Sequence, residues 1–211
     1  MATDVTLTAV AASILIEDGV LDPAERVFGP LAMVDTGFSV PADKLDRFGP
    51  YFGDRDGARV VFDPVDGQWS TPPAFEGGGD GLVSTLADYH RFARMLRGGG
   101  ELDGARVLSG RSVAAMTADH LTAEQLARGG PSPDGSAGWG YGVDVQLTDL
   151  PDGPRAGSYG RDGGLGSTWC NDRAVTGILL TNQAWSSAGP PPVFATFESI
   201  LGEAARAGDP T

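Results

Sequence analysis

The stretch Gly157-Ser158-Tyr159-Gly160-Arg161-Asp162-Gly163-Gly164-Leu165-Gly166-Ser167-Thr168-Trp169-Cys170-Asn171, followed by the apolar run Val175 to Thr181, constrains this chain more than any other. Five glycines within ten residues let backbone come close to something that side chains would hold away. The residues behind them alternate as in a strand, and the apolar run reads as a further strand that is fully buried. This is the form of the edge of a site.

The rest of the chain supplies elements to pack around that edge. Residues 8 to 17 read as a short helix, with Val10, Ile14 and Glu17 three or four apart and Gly19 as C-cap. Ala11, Ala12 and Leu15 make it apolar nearly all round, as suits a buried helix. Residues 39 to 80 are rich in Gly, Pro and Asp, with one extended run, Arg59 to Phe62, closed by Asp63-Pro64. The aromatic residues Phe48, Tyr51, Phe52, Phe62, Trp69 and Phe75 spaced through this segment either pin it to the body or wall a substrate site.

From Thr85 the period turns helical. Thr85 and Asp88 resemble a capping box, Leu86, Tyr89, Phe92, Ala93 and Leu96 share a face, and Gly98-Gly99-Gly100 ends the helix. A second helix follows Ser109, with Val113 and Met116 inward, and ends near His120. Trp139, Tyr141, Val143, Val145 and Leu147 alternate as one half-buried strand. Leu150 to Pro154 is a turn, the Arg161 segment opens the next strand, and Val175 to Gln183 forms a third. A final helix over about 193–207 carries Phe194, Phe197, Ile200, Leu201 and Ala204 on one stripe. Short connections imply antiparallel neighbours, so the expected fold is α+β, an antiparallel β-sheet flanked by helices.

With 211 residues, 41% of them hydrophobic, one domain with a sizeable core is expected. Thirty-two glycines, about twice the usual share of roughly 7%, point to a loop-rich chain. The formal charge of −13 repels nucleic acid and anionic membranes and argues against both as partners. A single cysteine excludes an internal disulfide, and the two histidines have no Cys or second His at ligand spacing, so neither a metal nor another cofactor is expected. Thr6 to Ile16 is apolar, but Asp4 and no Lys or Arg precedes it, unlike a signal peptide. No run reaches the roughly 20 apolar residues of a membrane span, and a cytoplasmic location is expected.

Four ordered segments carry a family resemblance. Pro30-Leu31-Ala32-Met33-Val34-Asp35-Thr36-Gly37-Phe38 is similar to a "PLGM-x-DTGF" segment, and Glu76 to Thr85 to a "GGGGLVST" turn. Gly138-Trp139-Gly140-Tyr141-Gly142-Val143 is similar to "GWGYGV". Arg161-Asp162-Gly163-Gly164 resembles the third motif, Lys-Thr-Gly or His-x-Gly, that opens the strand lining the active site. Together they resemble the serine β-lactamase, penicillin-binding protein and carboxylesterase superfamily. The resemblance implies a β-lactamase/transpeptidase-like fold and ester or amide hydrolysis.

It also implies two further motifs, and neither is present. The family activates its serine with a lysine one helical turn on, in Ser-x-x-Lys. The only lysine is Lys44, and Pro41 stands three residues before it. The residues two positions after Tyr51, Tyr89, Tyr141 and Tyr159 are Gly53, Arg91, Val143 and Arg161, so no Tyr-x-Asn or Tyr-x-Ser occurs. Residues 8–19 resemble the family's nucleophile helix, which puts Ala2 in the serine slot and Val5 in the lysine slot. The chain then passes near Pro23 to a segment similar to one far downstream, as if shortened internally. It reads as a single truncated domain over 1–211, with 1–23 a remnant of the nucleophile helix and 24–211 the C-terminal half.

By the same resemblance Gly164 N–H would donate to an oxyanion, with Gly163 beside it, and Arg161 and Asp162 would contact the substrate. One such donor is worth roughly 2.7 to 4 kcal/mol in acyl transfer. A strand-entry turn with no ligand role is the competing reading of these residues. No relocated nucleophile is evident: Gly110-Arg111-Ser112-Val113-Ala114 lacks the last glycine of an elbow, Ser158 and Ser167 have no sequence-adjacent lysine, and Cys170 reads as a small buried residue. Three readings follow: a serine hydrolase, an inactive member that binds an acyl, ester or β-lactam-like ligand or a partner chain, as half of a split enzyme for instance, and a remnant without activity. The sheet strand left without N-terminal neighbours is expected to offer an edge for homo-oligomer formation.

Overall fold

The computed structural model describes residues 23–76, 81–128, 131, 132, 134–187 and 189–208. The helix expected over 8–17 and the positions Ala2 and Val5 lie outside the described residues. After a π-helical turn at Ala24–Phe28 and a 3-10 turn at Ala42–Arg47, strands β1 (Tyr51–Arg55) and β2 (Ala58–Asp63) form a hairpin, followed by a 3-10 turn at Gln68–Ser70. Helix α1 (Leu86–Arg97) leads to a small hairpin of β3 (Glu101–Leu102) and β4 (Ala105–Arg106), then to α2 (Gly110–Met116) and α3 (Ala123–Ala127). The main sheet is a five-stranded antiparallel meander of β5 (Ala137–Trp139), β6 (Asp144–Gln146), β7 (Tyr159–Gly163), β8 (Ser167–Asn171) and β9 (Thr176–Leu180). Helix α4 (Pro192–Ala207) closes the chain.

The pleat of β8 sends Trp169 and Asn171 to one face of the sheet and Thr168 and Cys170 to the other. Helix α1 covers the first face. The Trp169 indole lies edge-on to the rings of Tyr89 at 6.0 Å, Phe92 at 6.4 Å and Tyr159 at 6.1 Å. Asn171, fully buried, donates from Nδ2 to the Ala93 carbonyl (2.7 Å) and accepts from Thr176 Oγ1 (2.7 Å), so one side chain ties α1, β8 and β9 together. Helix α4 covers the second face, where a Cβ added to Gly177 would stand 2.7 Å from Leu201 Cδ1. The core continues through Val27, Leu31, Met33, Leu96, Leu108 and Met116.

Helix α1 begins as its sequence implies, with the Thr85 side chain accepting from Asp88 N. The Asp88 carboxylate accepts instead from Asp35 N (2.7 Å) and Thr36 Oγ1 (3.0 Å), holding the Asp35-Thr36-Gly37 segment against the helix start. The buried face is Tyr89, Phe92, Ala93, Met95 and Leu96; Leu86, expected on it, is 56% exposed in the first turn.

Several expectations are corrected. The run Trp139 to Leu147 is two strands folded back on each other, because Gly140 N donates to Val143 O and Gly142 takes a φ of +78°. Gly140 is needed there, since its Cβ would overlap the Met116 carbonyl at 1.9 Å. The Arg161 segment closes β7 rather than opening a strand, and β9 is half-buried because it lies at the sheet edge. Helix α2 stops at Met116, where Thr117 caps onto Val113 O. The buried stripe of α4 runs through Phe194, Leu201, Gly202 and Ala205, with Ile200 and Ala204 outward, because Gly202 lies against the Gly153 carbonyl. Strand β1 and helix α3 were not expected. Among the described residues no helix is long and apolar enough to cross a membrane.

Trp169→Ala should remove the centre of the α1–sheet contact and cost about 3–5 kcal/mol, the usual range for a buried large aromatic. Urea unfolding read by circular dichroism checks it, and an unchanged midpoint would contradict the central place given to this residue.

Candidate functional site

The glycine-rich segment makes the turn between β7 and β8, and the structure holds that turn from several directions. Gly166 N donates to Gly163 O (2.8 Å), Trp185 N to Gly164 O (2.9 Å) and Thr181 N to Gly166 O (3.0 Å). The Tyr51 hydroxyl, whose pKa burial pushes up, donates to Leu165 O (2.5 Å). Gly166 must be glycine: its φ is +90° and a Cβ would overlap Gln183 O and Thr181 Oγ1, each at 2.2 Å. Gly164 stands at the exposed tip. Its N–H has no hydrogen-bond partner among the described residues, and a Cβ there would meet nothing within 4 Å. The turn therefore presents a fixed donor to the outside, as binding of a carbonyl oxygen requires.

Arg161 and Asp162 do not join it there. Both line a small cavity of about 70 Å3 on the α4 face, together with Asp144, Cys170 and Glu198. The Arg161 guanidinium lies 4.7 Å over the Trp139 ring and 4.0 Å from Asp144 Oδ1, a weak pair at these exposures. Burial raises the pKa of Asp162 against the opposing effects of Thr168 and Arg161, and burial with the charge of Asp162 raises that of Glu198. Burial, then the carboxylates of Asp144, Asp172, Glu198 and Asp162, push the Cys170 thiol up. Cys170 is thus held as the thiol, the non-nucleophilic form.

The other polar groups with chemical promise are already engaged. A cavity of about 170 Å3 beside α1 is lined by Lys44, Ser84 and Thr85, a constellation the sequence did not reveal. Lys44 Nζ binds Asp35 Oδ1 (2.5 Å), Arg47 binds Asp35 Oδ2 (3.0 Å), and these bonds hold the Asp35 carboxyl below its ordinary pKa. An ammonium paired in this way is no base for Ser84, whose hydroxyl shares a hydrogen bond with Thr36 (2.8 Å). Ser158 donates to Asp172 Oδ2 (3.0 Å), and Asp172 is paired with Arg155. His90 is exposed beside Arg94 and Arg97; desolvation and these two charges lower its pKa. Among the described residues no cluster of His, Cys, Asp and Glu could hold a metal ion.

An antiparallel sheet covered by helices on both faces, as here, is the β-lactamase/transpeptidase-like arrangement. The Beta-lactamase family model matches residues 22–190, and the chain belongs to that family. Two Mycobacterium tuberculosis proteins, "Uncharacterized protein MT1414" and "Protein Rv1367c", are each 37% identical over 163 residues, covering 74% of this chain and 41% of their own length. The chain thus spans about two fifths of the length of these curated relatives. Among solved structures, a mutant of the simvastatin synthase LovD from Aspergillus terreus superposes with a TM-score of 0.69 at 24% identity, covering 93% of this chain and 54% of that one. EstCE1, a hydrolase with promiscuous acyltransferase activity, gives 0.66 at 19% identity, covering 87% and 49%. A penicillin-binding protein homologue from Caulobacter crescentus gives 0.55 at 23% identity, covering 93% and 52%. At these identities the structural likenesses speak for the fold.

The raised Asp162 makes a testable contribution. A carboxyl whose folded pKa lies above its unfolded value of 3.8 favours folding less once ionised, so stability should fall as pH rises through the folded pKa. Asp162→Asn should therefore melt above the native chain at pH 7, with the difference vanishing below about pH 3.8, where both side chains are neutral. Differential scanning calorimetry at both pH values would detect the opposite ordering.

Proposed function

We propose that this chain is a non-hydrolysing member of the Beta-lactamase family that binds the carbonyl of a small acyl ester or β-lactam-like ligand at the β7–β8 turn. The observation that carries the reading is the open N–H of Gly164 on a turn fixed by Tyr51, Thr181 and Trp185. The likeness to a hydrolase with acyltransferase activity supports an acyl ligand. The 211 residues hold no Ser-x-x-Lys and no Tyr-x-Asn or Tyr-x-Ser, so a bound carbonyl meets no activated nucleophile. Binding needs no cofactor. Donors of this kind stabilise the developing oxyanion, and on their own they give little turnover.

The open edge of β9 favours a second, compatible role. Among the described residues β9 pairs only with β8, and beside it Leu86, Ala87, His90, Thr176 and Ile178 line a hollow of about 510 Å3 between α1 and the strand. Such an edge suits pairing with another chain, either a second copy or one that supplies the missing motifs.

Incubation with a fluorophosphonate and, separately, with a penicillin should leave the intact mass of the purified chain unchanged, while a homologue that keeps Ser-x-x-Lys gains one adduct. A stoichiometric adduct lost on unfolding would overturn the non-hydrolysing assignment. For the edge, Leu86→Glu should lower the weight-average mass in light scattering at high protein concentration. A native chain that is monomeric throughout would remove self-association as a role.

A further inference from the structure

Next to the β7–β8 turn the segment between β2 and α1 walls an open groove of about 690 Å3, within the range of sites for small organic ligands. Phe38, Phe62, Trp69, Pro72, Phe75 and Leu165 supply its apolar surface. Gln68 and Thr71 bring the polar side chains, and no charged residue is among the described residues that line it, although the chain carries a net charge of −13. Phe62 is 61% and Phe75 84% exposed. Aromatic rings left open around one concavity, rather than scattered singly, mark a surface that gains by being covered.

Shared contacts through Tyr51 and Leu165 tie the groove to the donor turn. The Tyr51 ring, buried, meets the rings of Phe62 (6.0 Å) and Trp69 (6.1 Å) edge-on, and its hydroxyl holds Leu165 O. Leu165 lines the groove, and the residue before it, Gly164, carries the open N–H. A carbonyl on Gly164 therefore stands one residue away from the groove end, and an apolar substituent on that carbonyl has a direct path into it.

We infer that this groove takes the uncharged alkyl or aryl acyl group of the carbonyl ligand. The inference rests on the carbonyl-binding reading above and adds the ligand's class: esters with a medium-length apolar acyl chain, rather than acids or peptides with a charged group at that position. Among the described residues that line the groove, none carries a charge to compensate an ionised substituent.

The test is calorimetric titration of the full chain with methyl butanoate, hexanoate and octanoate. Affinity should rise roughly two- to fourfold per added methylene, as burial of apolar surface predicts. Phe75→Asp should weaken octanoate binding at least tenfold yet leave butanoate within about twofold. Val193→Asp, a change at an exposed apolar residue of α4, should alter neither. Matching thermal unfolding of the two variants and the native chain shows that the fold is kept. Binding that is flat with chain length, or indifferent to Phe75→Asp, overturns the groove assignment while leaving the carbonyl site standing; no saturable binding of any ester overturns both.

Discussion

Burial of the Trp169 indole between α1 and the sheet is the contact on which the other arrangements depend. Its ring is met by Tyr89 and Phe92 from the helix and by Tyr159 from the neighbouring strand, and two residues on, Asn171 fixes the helix backbone at Ala93. Aromatic packing supplies the apolar area, while the amide sets the register of helix against strand, since an unpaired amide in that position would cost about 1–3 kcal/mol. With β8 placed, the β7–β8 turn has one position, and Tyr51 and Trp185 can reach its carbonyls. The donor at Gly164 is thus positioned by the core of the domain.

On the proposed reading, a binding element persists without the catalytic groups that accompany it in hydrolases. Oxyanion donors are backbone groups held by the fold, and they survive as long as the fold does. A nucleophile and its base are side chains, lost by substitution at two positions. The side chains that could replace them are committed elsewhere: Lys44 to Asp35, Ser158 to Asp172, and Cys170 to a thiol that burial, with its carboxylate neighbours, keeps protonated. On the proposed reading, what remains is polarisation without attack, which is recognition.

Much of the fold was legible because local signals agreed with one another. Helix α1 had a cap at Thr85, a 3.6-residue period and a glycine stop, and it forms over Leu86–Arg97. The antiparallel meander followed from short connections. The β5–β6 hairpin was hidden because alternation continues through a two-way turn: Tyr141 and Val143 keep the period of two even as Gly142 reverses the chain. The turn at Gly163 and Gly164 was legible, because the run of glycines there announces a backbone reversal. The neighbours of Arg161 and Asp162 were not legible, because Trp139, Thr168 and Glu198 are brought beside them by strand pairing and by the packing of α4. Nor could spacing assemble the groove, because Phe38, Phe62, Phe75 and Leu165 come from separate segments that share no period.

The same physics bears on what β9 faces. Thr176-Gly177-Ile178-Leu179-Leu180 contains no charge and no proline, the devices by which exposed edges usually avoid pairing. Each of its residues is half-buried, and Ile178 and Leu180 rest against the core on their inner side. An edge so apolar is tolerable in a stable monomer when something covers it, and Leu86, open across the adjoining hollow, extends the uncovered surface onto α1. Meanwhile burial raises the pKa of Asp162, and burial with the charge of Asp162 raises that of Glu198, so ionisation of these half-buried carboxylates under α4 weighs against the folded state at neutral pH. On the pairing proposed above, a partner on the β9 side would add strand hydrogen bonds and cover apolar area, stabilising the same sheet that positions Gly164.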